Sequence, residues 1–339
     1  MDKIVIPIQD NIFQKEFKFQ VLEWMDRDEC IDTDTETDSE NEKNEQIDEY
    51  NIYAFGRTIE GYSVALKIIN YTPFFHILLP DKWDIKYNTY LIQHIKKQVY
   101  KKYQNCILEK QCKIVKKKPL DYFRGDDSCT FLRLVFTNKK AFYIYSSVFK
   151  KGIKLPFYQN NKMFHPFETK LEPKLKFFHL RKIEPCNWIL IKNYVSLEDT
   201  PFSICQLNYE VKWTNVFPHE TYNQAPFLVM SFDIECRPDD GVSFPESNNP
   251  KDNIIQIGST FHWYGKEQIE IAYKHIVTLD TCDKIEGVDV ESYETEVELL
   301  MAWVKLIQNT NPDIHTGYNI FGFDYKYLFN RAKICGIPI

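Results

Sequence analysis

Three acidic residues carry most of the chemical content of this sequence. Asp233 and Glu235, separated only by Ile234, end the apolar run FLVMSFDIEC (227–236), and Asp324 lies in the later segment FDYKYLFNRAKICG. Side chains at i and i+2 of a strand point to the same face, so Asp233 and Glu235 stand side by side where like charges repel. Asp324 falls in the first turn of a helix, where nearby N–H groups and the positive end of the dipole favour its ionised form. If the strand before that helix pairs with FLVMSFDIEC, three carboxylates meet at one pocket, and their repulsion calls for cations. Hard divalent ions with oxygen ligands, Mg²⁺ or Mn²⁺, answer it. Two such ions about 4 Å apart activate a water and stabilise a leaving oxygen, which is the chemistry of phosphodiester hydrolysis.

A lone DxE pair is a weak signal, because surface strands carry such pairs by chance. The elements around it strengthen the reading. NIIQIGSTFHWY (253–264) reads as a second strand. In ESYETEVELLMAWVKLIQNT, Thr295 and Glu298 have capping-box spacing, and Val297, Leu300, Trp303, Val304 and Ile307 fall on one helical face. Pro312 ends that helix, DIHTGYN is a short third strand, and a second helix stops at Gly336. Acids that end an apolar strand and open the helix after a later strand have the order of an RNase H-like nuclease core.

Composition bounds the rest. A chain of 339 residues with 44% hydrophobic and 15% aromatic content supports two or three cores. The net charge of −6 is misleading, because twelve acids between Asp26 and Glu49 face only Arg27 and Lys43, and the remainder is mildly basic. Segment 26–49 has almost no apolar residues and reads as a disordered, solvated insertion. Nine scattered cysteines, never spaced CxxC, argue against a disulfide framework or a zinc site. No run reaches membrane-spanning length and the start lacks a long apolar signal region, so no membrane partner and no secretion are expected.

Upstream, residues 13–25 alternate as a first strand. YNIYAFGRTIEGYSVALKIINYTPFFHILLP then reads as a hairpin-rich sheet, bounded at its third strand by Pro73 and Pro80. Residues 82–118 carry eleven lysines against Asp84 and Glu109, with Leu91, Ile92, Ile95 and Val99 at helical spacing. This is a basic amphipathic helix followed by a lysine-rich strand edge, either solvated surface or a contact for a nucleic-acid backbone. FETKLEPKLKFFHLRKIEPCNWILI reads as a helix leading into a strand. Pro226 marks the main border, near residue 220.

On these residues the sequence resembles a known family. MSFDIECRPDDGVSFPE with IIQIG, then SYETEVELLMAW, then PDIHTGYNIFGFDYKYLFNRA resemble the 3′–5′ exonuclease domain of family B DNA polymerases, nearest the delta-like branch shared by large DNA viruses. FDIE matches the first exonuclease motif and YNIFGFDYKYL the second. FGRTIEGYSVALKI, TPFFHILLP and FHLRKIEPCNWI resemble the polymerase amino-terminal domain less sharply. The resemblance implies a fold of α/β and α+β character, with a mixed-sheet amino-terminal domain over 1–220 and a partial RNase H-like exonuclease domain over 221–339. It implies that Asp233, Glu235 and Asp324 are catalytic metal ligands of a two-metal site, with Glu235 also orienting the attacking water. It further implies that Asn319 and Phe323 shape the path of a frayed primer end, and that Phe232 and Ile234 lie near the terminal nucleotide. For these last four, core packing or strand-end hydrogen bonding is the competing reading.

The implied partners are a DNA primer–template with its single-stranded 3′ end, and the remainder of the polymerase or other replication proteins, in the nucleus or a cytoplasmic viral replication compartment. The family's third exonuclease motif, a Tyr followed by an Asp, does not occur after the second, nor do the palm, fingers and thumb. The expectation is therefore an amino-terminal part of a polymerase that cannot polymerise and has little nuclease activity alone. The rival readings are a non-catalytic nucleic-acid-binding or assembly module from a split or truncated gene, and a stand-alone RNA exonuclease.

Overall fold

Alternation along β1 (Glu16–Glu29) buries Phe17, Phe19, Val21 and Trp24, the break in period after Val21 being absorbed by a bulge. The computed structural model describes residues 16–30, 48–81, 83–118, 128–153, 155, 164–265 and 271–337. The chain continues through β2 (Glu49–Arg57), β3 (Ser63–Ile69), β4 (Phe74–Leu78), α1 (Tyr87–Lys96), α2 (Lys101–Gln104), β5 (Lys113–Lys117), β6 (Cys129–Val135) and α3 (Lys139–Lys150). Then come β7 (Pro166–Phe167), α4 (Pro173–Arg181), β8 (Trp188–Lys192), β9 (Val195–Ser196), β10 (Leu207–Lys212) and β11 (Val216–Pro218).

These elements make two sheets. One has the order β11-β8-β1-β2-β3-β10-β9, and Phe177 and Phe178 of α4 enter its core. The other has the order β5-β6-β4-β7, with one face packed against Leu91, Ile92 and Ile95 of α1 and Phe142, Tyr145 and Phe149 of α3.

The acidic tract is corrected at its ends. Asp26–Glu29 continue β1 and Glu49 opens β2, in register from Asp26 opposite Ile52 to Glu29 opposite Glu49. Bases hold these charges in place. Lys139 and Lys174 reach Asp26 at 2.6 and 3.4 Å, and Asp28 accepts the first N–H groups of α3, from Lys139 and Lys140, at 2.7 and 2.9 Å. Residues 31–47, the bulk of the expected insertion, lie outside the described residues.

The third sheet is mixed, with the order β15-β14-β13-β12-β16. Its strands are β12 (Phe227–Arg237), β13 (Asn253–Tyr264), β14 (Ile271–Leu279), β15 (Asp289–Tyr293) and, between helices α5 (Glu296–Thr310) and α6 (Asp324–Ile334), β16 (Ile314–Thr316). β12, β13 and β14 are antiparallel neighbours, while β16 runs parallel to β12 over Val229–Ser231. This fits the RNase H-like expectation, with β14 and β15 as strands the sequence pattern did not reveal.

Thr295 and Glu298 form the capping box expected of α5. Its buried stripe differs from the expected one. Leu299, Leu300, Trp303 and Leu306 face the core, whereas Val297 and Val304 are exposed. The segment ELLMAWVKLI is apolar nearly all round, so periodicity alone does not choose the face.

The third sheet is tied to the first by Arg57. Its guanidinium ion-pairs with Asp313, donates to the carbonyls of Gly61 and Asn311 at 2.6 and 3.2 Å, and stacks over Trp263 at 5.0 Å. The same Asp313 oxygen accepts the N–H of Leu228 at 2.6 Å, at the start of β12. One carboxylate thus joins the end of β2 to the strand that carries the site. No helix among the described residues is long and apolar enough to cross a membrane.

Candidate active site

β12 begins buried on both faces, from Phe227 to Met230, and then opens on one side. Phe232 and Ile234 stay in the core while Asp233 and Glu235 are exposed. The period of two therefore does what the sequence required, separating a packing face from an acidic one. A bulge against β13 follows directly after Glu235, ending the regular ladder at the acids.

Asp324 comes to the same place. The parallel pairing of β16 with β12 stops at Ser231, so the edge of β12 beyond it is free to bond with other groups. Gly317 then passes so close to β12 that a Cβ there would stand 2.5 Å from the carbonyl oxygen of Phe232, and only glycine fits. Asn319 adopts a left-handed φ of 51° and its carbonyl accepts the N–H groups of Gly322 and Phe323 at 2.9 and 3.0 Å, turning the chain into α6. Gly322 leaves room for the Asn319 side-chain amide, which a Cβ would meet at 2.3 Å.

As a result Asp324, only 2% exposed, opens α6, and its Oδ1 accepts the N–H of Ile234 at 3.2 Å. Burial pushes its carboxyl above the ordinary carboxylate range. The Ile234 and helix N–H groups oppose that shift, and the neighbouring Asp233 reinforces it.

The structure thus brings Asp233 and Asp324 together. Glu235 lies on the same strand face as Asp233, but among the described residues no group of three His, Cys, Asp or Glu side chains stands at metal-holding distance, so the three carboxylates are not gathered into one cage. No Lys or Arg among the described residues neutralises Asp233, Glu235 or Asp324. Unpaired, all-oxygen acids of which one is buried are a donor set suited to a hard divalent cation.

Of the other expected residues, Phe232 packs against Trp303 and Tyr325 with ring centroids 5.1 and 5.2 Å away, and Ile234 is buried. Both side chains face away from the acids, which supports the packing reading for these two. Ile234 acts instead through its backbone N–H. Asn319 is exposed and organises the turn. Phe323 is half-buried, its ring 5.7 Å from that of Phe244.

Sequence reasoning missed the arm that carries Phe244. Residues 238–252 fold around the buried Asp252 carboxylate, which accepts the N–H groups of Asp239 and Glu246 at 3.0 and 2.8 Å and the Asn249 side chain at 2.7 Å. Arg331 of α6 pins the arm from below. It donates to the carbonyls of Asn249 and Pro250 at 2.6 and 3.1 Å and pairs with buried Glu296, which also accepts the N–H of Ile254. Tyr318, Phe321 and Phe244, at 92, 85 and 75% exposure, present aromatic faces to solvent, with Phe321 against Tyr325 and Phe244 against Phe323 at the start of α6. The acid at 252 sits in a polar loop and the base at 331 on a helix, and neither carries a local signal of its role.

A mixed five-stranded sheet whose interior apolar strand β12 ends in carboxylates defines the class, an RNase H-like domain. The family model described as DNA polymerase family B, exonuclease domain, matches residues 164–339. The chain belongs to that family. It is 33% identical over 327 residues to the DNA polymerase of Acanthamoeba polyphaga mimivirus, covering 94% of this chain and 18% of that protein. It is 31% identical over 294 residues to the DNA polymerase delta catalytic subunit of Arabidopsis thaliana, covering 84% of this chain and 26% of the relative. The family B DNA polymerase structure from the hyperthermophilic archaeon Pyrobaculum calidifontis superposes with a TM-score of 0.60 at 18% identity, over 95% of this chain and 33% of that one, a likeness of fold. The chain thus spans about a fifth to a third of the length of these proteins.

Proposed function

We propose that this chain supplies the proofreading part of a family B DNA polymerase, the site that removes mispaired nucleotides from a DNA 3′ end during replication. The observation that carries the reading is the buried Asp324 carboxylate, fixed beside Asp233 by a main-chain N–H and answered by no basic side chain among the described residues. Asp233 and Asp324, with Glu235 rotating in from the same strand face, would hold Mg²⁺ or Mn²⁺. When bound, a pair of such ions lowers the pKa of the attacking water and stabilises the leaving 3′ oxygen.

The chain's own residues do the rest. Glu235, exposed on the face of Asp233, would orient the water. Phe244, Phe321 and Tyr318 offer stacking faces to unpaired bases, which is how single strands are held without regard to sequence. Asn319 and Phe323 fix the turn that carries Asp324, Tyr318 and Phe321, and the Phe323 ring meets Phe244 of the arm.

Titration of the chain with Mn²⁺, followed by electron paramagnetic resonance, tests the reading in the absence and presence of a short single-stranded oligonucleotide. Binding is expected to weaken at least tenfold in Asp233→Ala and in Asp324→Ala. Equal Mn²⁺ binding in wild type and both variants would refute it, and single-strand binding that is steeply salt-dependent yet indifferent to Mn²⁺ would favour a non-catalytic module.

A further inference from the structure

On a different sheet from the one that bears the carboxylates, one face of β5-β6-β4-β7 gathers more positive charge than its acid answers. Lys113, Arg133 and His76 are direct cross-strand partners, a single row across β5, β6 and β4, and directly opposed residues share a face. Lys117 reaches the same face from the end of β5, and Lys176, 4% exposed, from α4. The carboxylate among them, Glu168, is fully engaged. Lys117 Nζ lies 3.3 Å from its Oε1, and Lys176 Nζ and His76 Nδ1 lie 2.9 and 3.3 Å from its Oε2.

Arg133 is left over. Its guanidinium carbon sits 3.6 Å from the centroid of the Phe74 ring, with Lys176 Nζ 4.5 Å from the same ring. Stacking offsets part of the desolvation but satisfies no N–H. Among the described residues Arg133 has no hydrogen-bond or carboxylate partner, and its Nε is fully buried. The hydroxyl of Tyr71, a residue 2% exposed, is buried and unpartnered as well. Burial pushes the Tyr71 phenol up, the Arg133 charge opposing that shift, and the neutral hydroxyl is available as a donor. Two buried donors without acceptors, beside excess positive charge, are the negative image of an oxyanion.

We propose that Arg133, Tyr71, Lys117 and Lys176 form a binding site for a phosphate-class oxyanion on the amino-terminal domain. Arg133 donates through a planar fork suited to phosphate oxygens, Tyr71 adds a hydroxyl donor, and the two lysines supply the balancing charge. Phe74 forms the apolar wall on which the planar guanidinium stacks. The ligand is either a free phosphate ion or a phosphodiester of a nucleic-acid strand. The site lies on a different sheet from Asp233 and Asp324 and does not depend on the nuclease reading.

Calorimetric titration of the 339-residue chain with inorganic phosphate, with an oligothymidylate and with its uncharged methylphosphonate counterpart tests the site. Phosphate is expected to bind saturably, with affinity reduced about tenfold or more in Arg133→Met and about threefold in Tyr71→Phe. Competition by the oligothymidylate but not by the methylphosphonate assigns the site to a strand backbone; phosphate binding without such competition assigns it to the free ion. If Arg133→Met fails to fold, Tyr71→Phe, which removes one oxygen, decides alone. Phosphate affinity unchanged in the folded variants, or no saturable binding of any probe to the wild type, overturns the proposal.

Discussion

The main-chain N–H of Ile234 donates to Oδ1 of Asp324 at 3.2 Å, so the strand that bears two of the site's acids also holds the third. The residue between the acids packs inward with its side chain and positions the site with its backbone. Asp324→Asn keeps an acceptor for that N–H but removes a buried charge that Asp233 repels. The metal-free protein is expected to gain stability, by about 1 kcal/mol in urea unfolding. Mn²⁺ affinity is expected to fall at least tenfold in the same variant.

Gly317→Ala tests the close passage of the chain beside Phe232. Its Cβ would fall 2.5 Å from a backbone oxygen, which cannot move as a flexible side chain can. A loss of about 1–3 kcal/mol in unfolding free energy is expected, together with weaker Mn²⁺ binding, because the displaced segment leads directly to Asp324.

Arg331→Met leaves Glu296 as an uncompensated charge in the core and frees the 238–252 arm. The expected cost is about 3–5 kcal/mol, measured by urea unfolding, with faster proteolysis within the arm. Adding Glu296→Leu is expected to restore part of the stability but not the protection of the arm, which depends on Arg331 bonding to the carbonyls of Asn249 and Pro250.

Glu29 gives a pH signature. Burial alone would raise its carboxyl, but hydrogen bonds with Tyr53, Lys67 and Asn51 outweigh it and hold the group down at about 2, against an ordinary 4.5. A depressed acid adds stability that is complete above its unfolded value and is lost as pH falls toward its folded one. Unfolding midpoints are expected to drop between about pH 4.5 and pH 2. In Glu29→Gln that part of the slope disappears.

Local signals made much of this protein legible in its sequence. The strand around Asp233, the Thr295–Glu298 cap, the Gly336 stop and the basic helix over Leu91–Ile95 each declare themselves within a turn or a few alternations. The approach of Asp324 to Asp233 was legible too, from strand order and helix start, whereas the expected gathering of Glu235 with them is not found among the described residues. The buried face of α5 was not, since its apolar residues surround the helix. β15 is short, polar and at the sheet edge, so it lacks the alternation that would mark it. Asp252 gains its meaning from the loop that folds back on it, and Arg331 from contacts remote in sequence.

The double engagement of Asp313, with Arg57 on one side and the head of β12 on the other, bears on any attempt to trim this protein. Excising residues 221–339 would remove Arg57, the counter-charge of Asp313, and leave at the head of β12 an acid whose carboxyl burial already raises. Substituting Asp313 with Asn, which can still accept from Leu228, is the natural companion to such a cut.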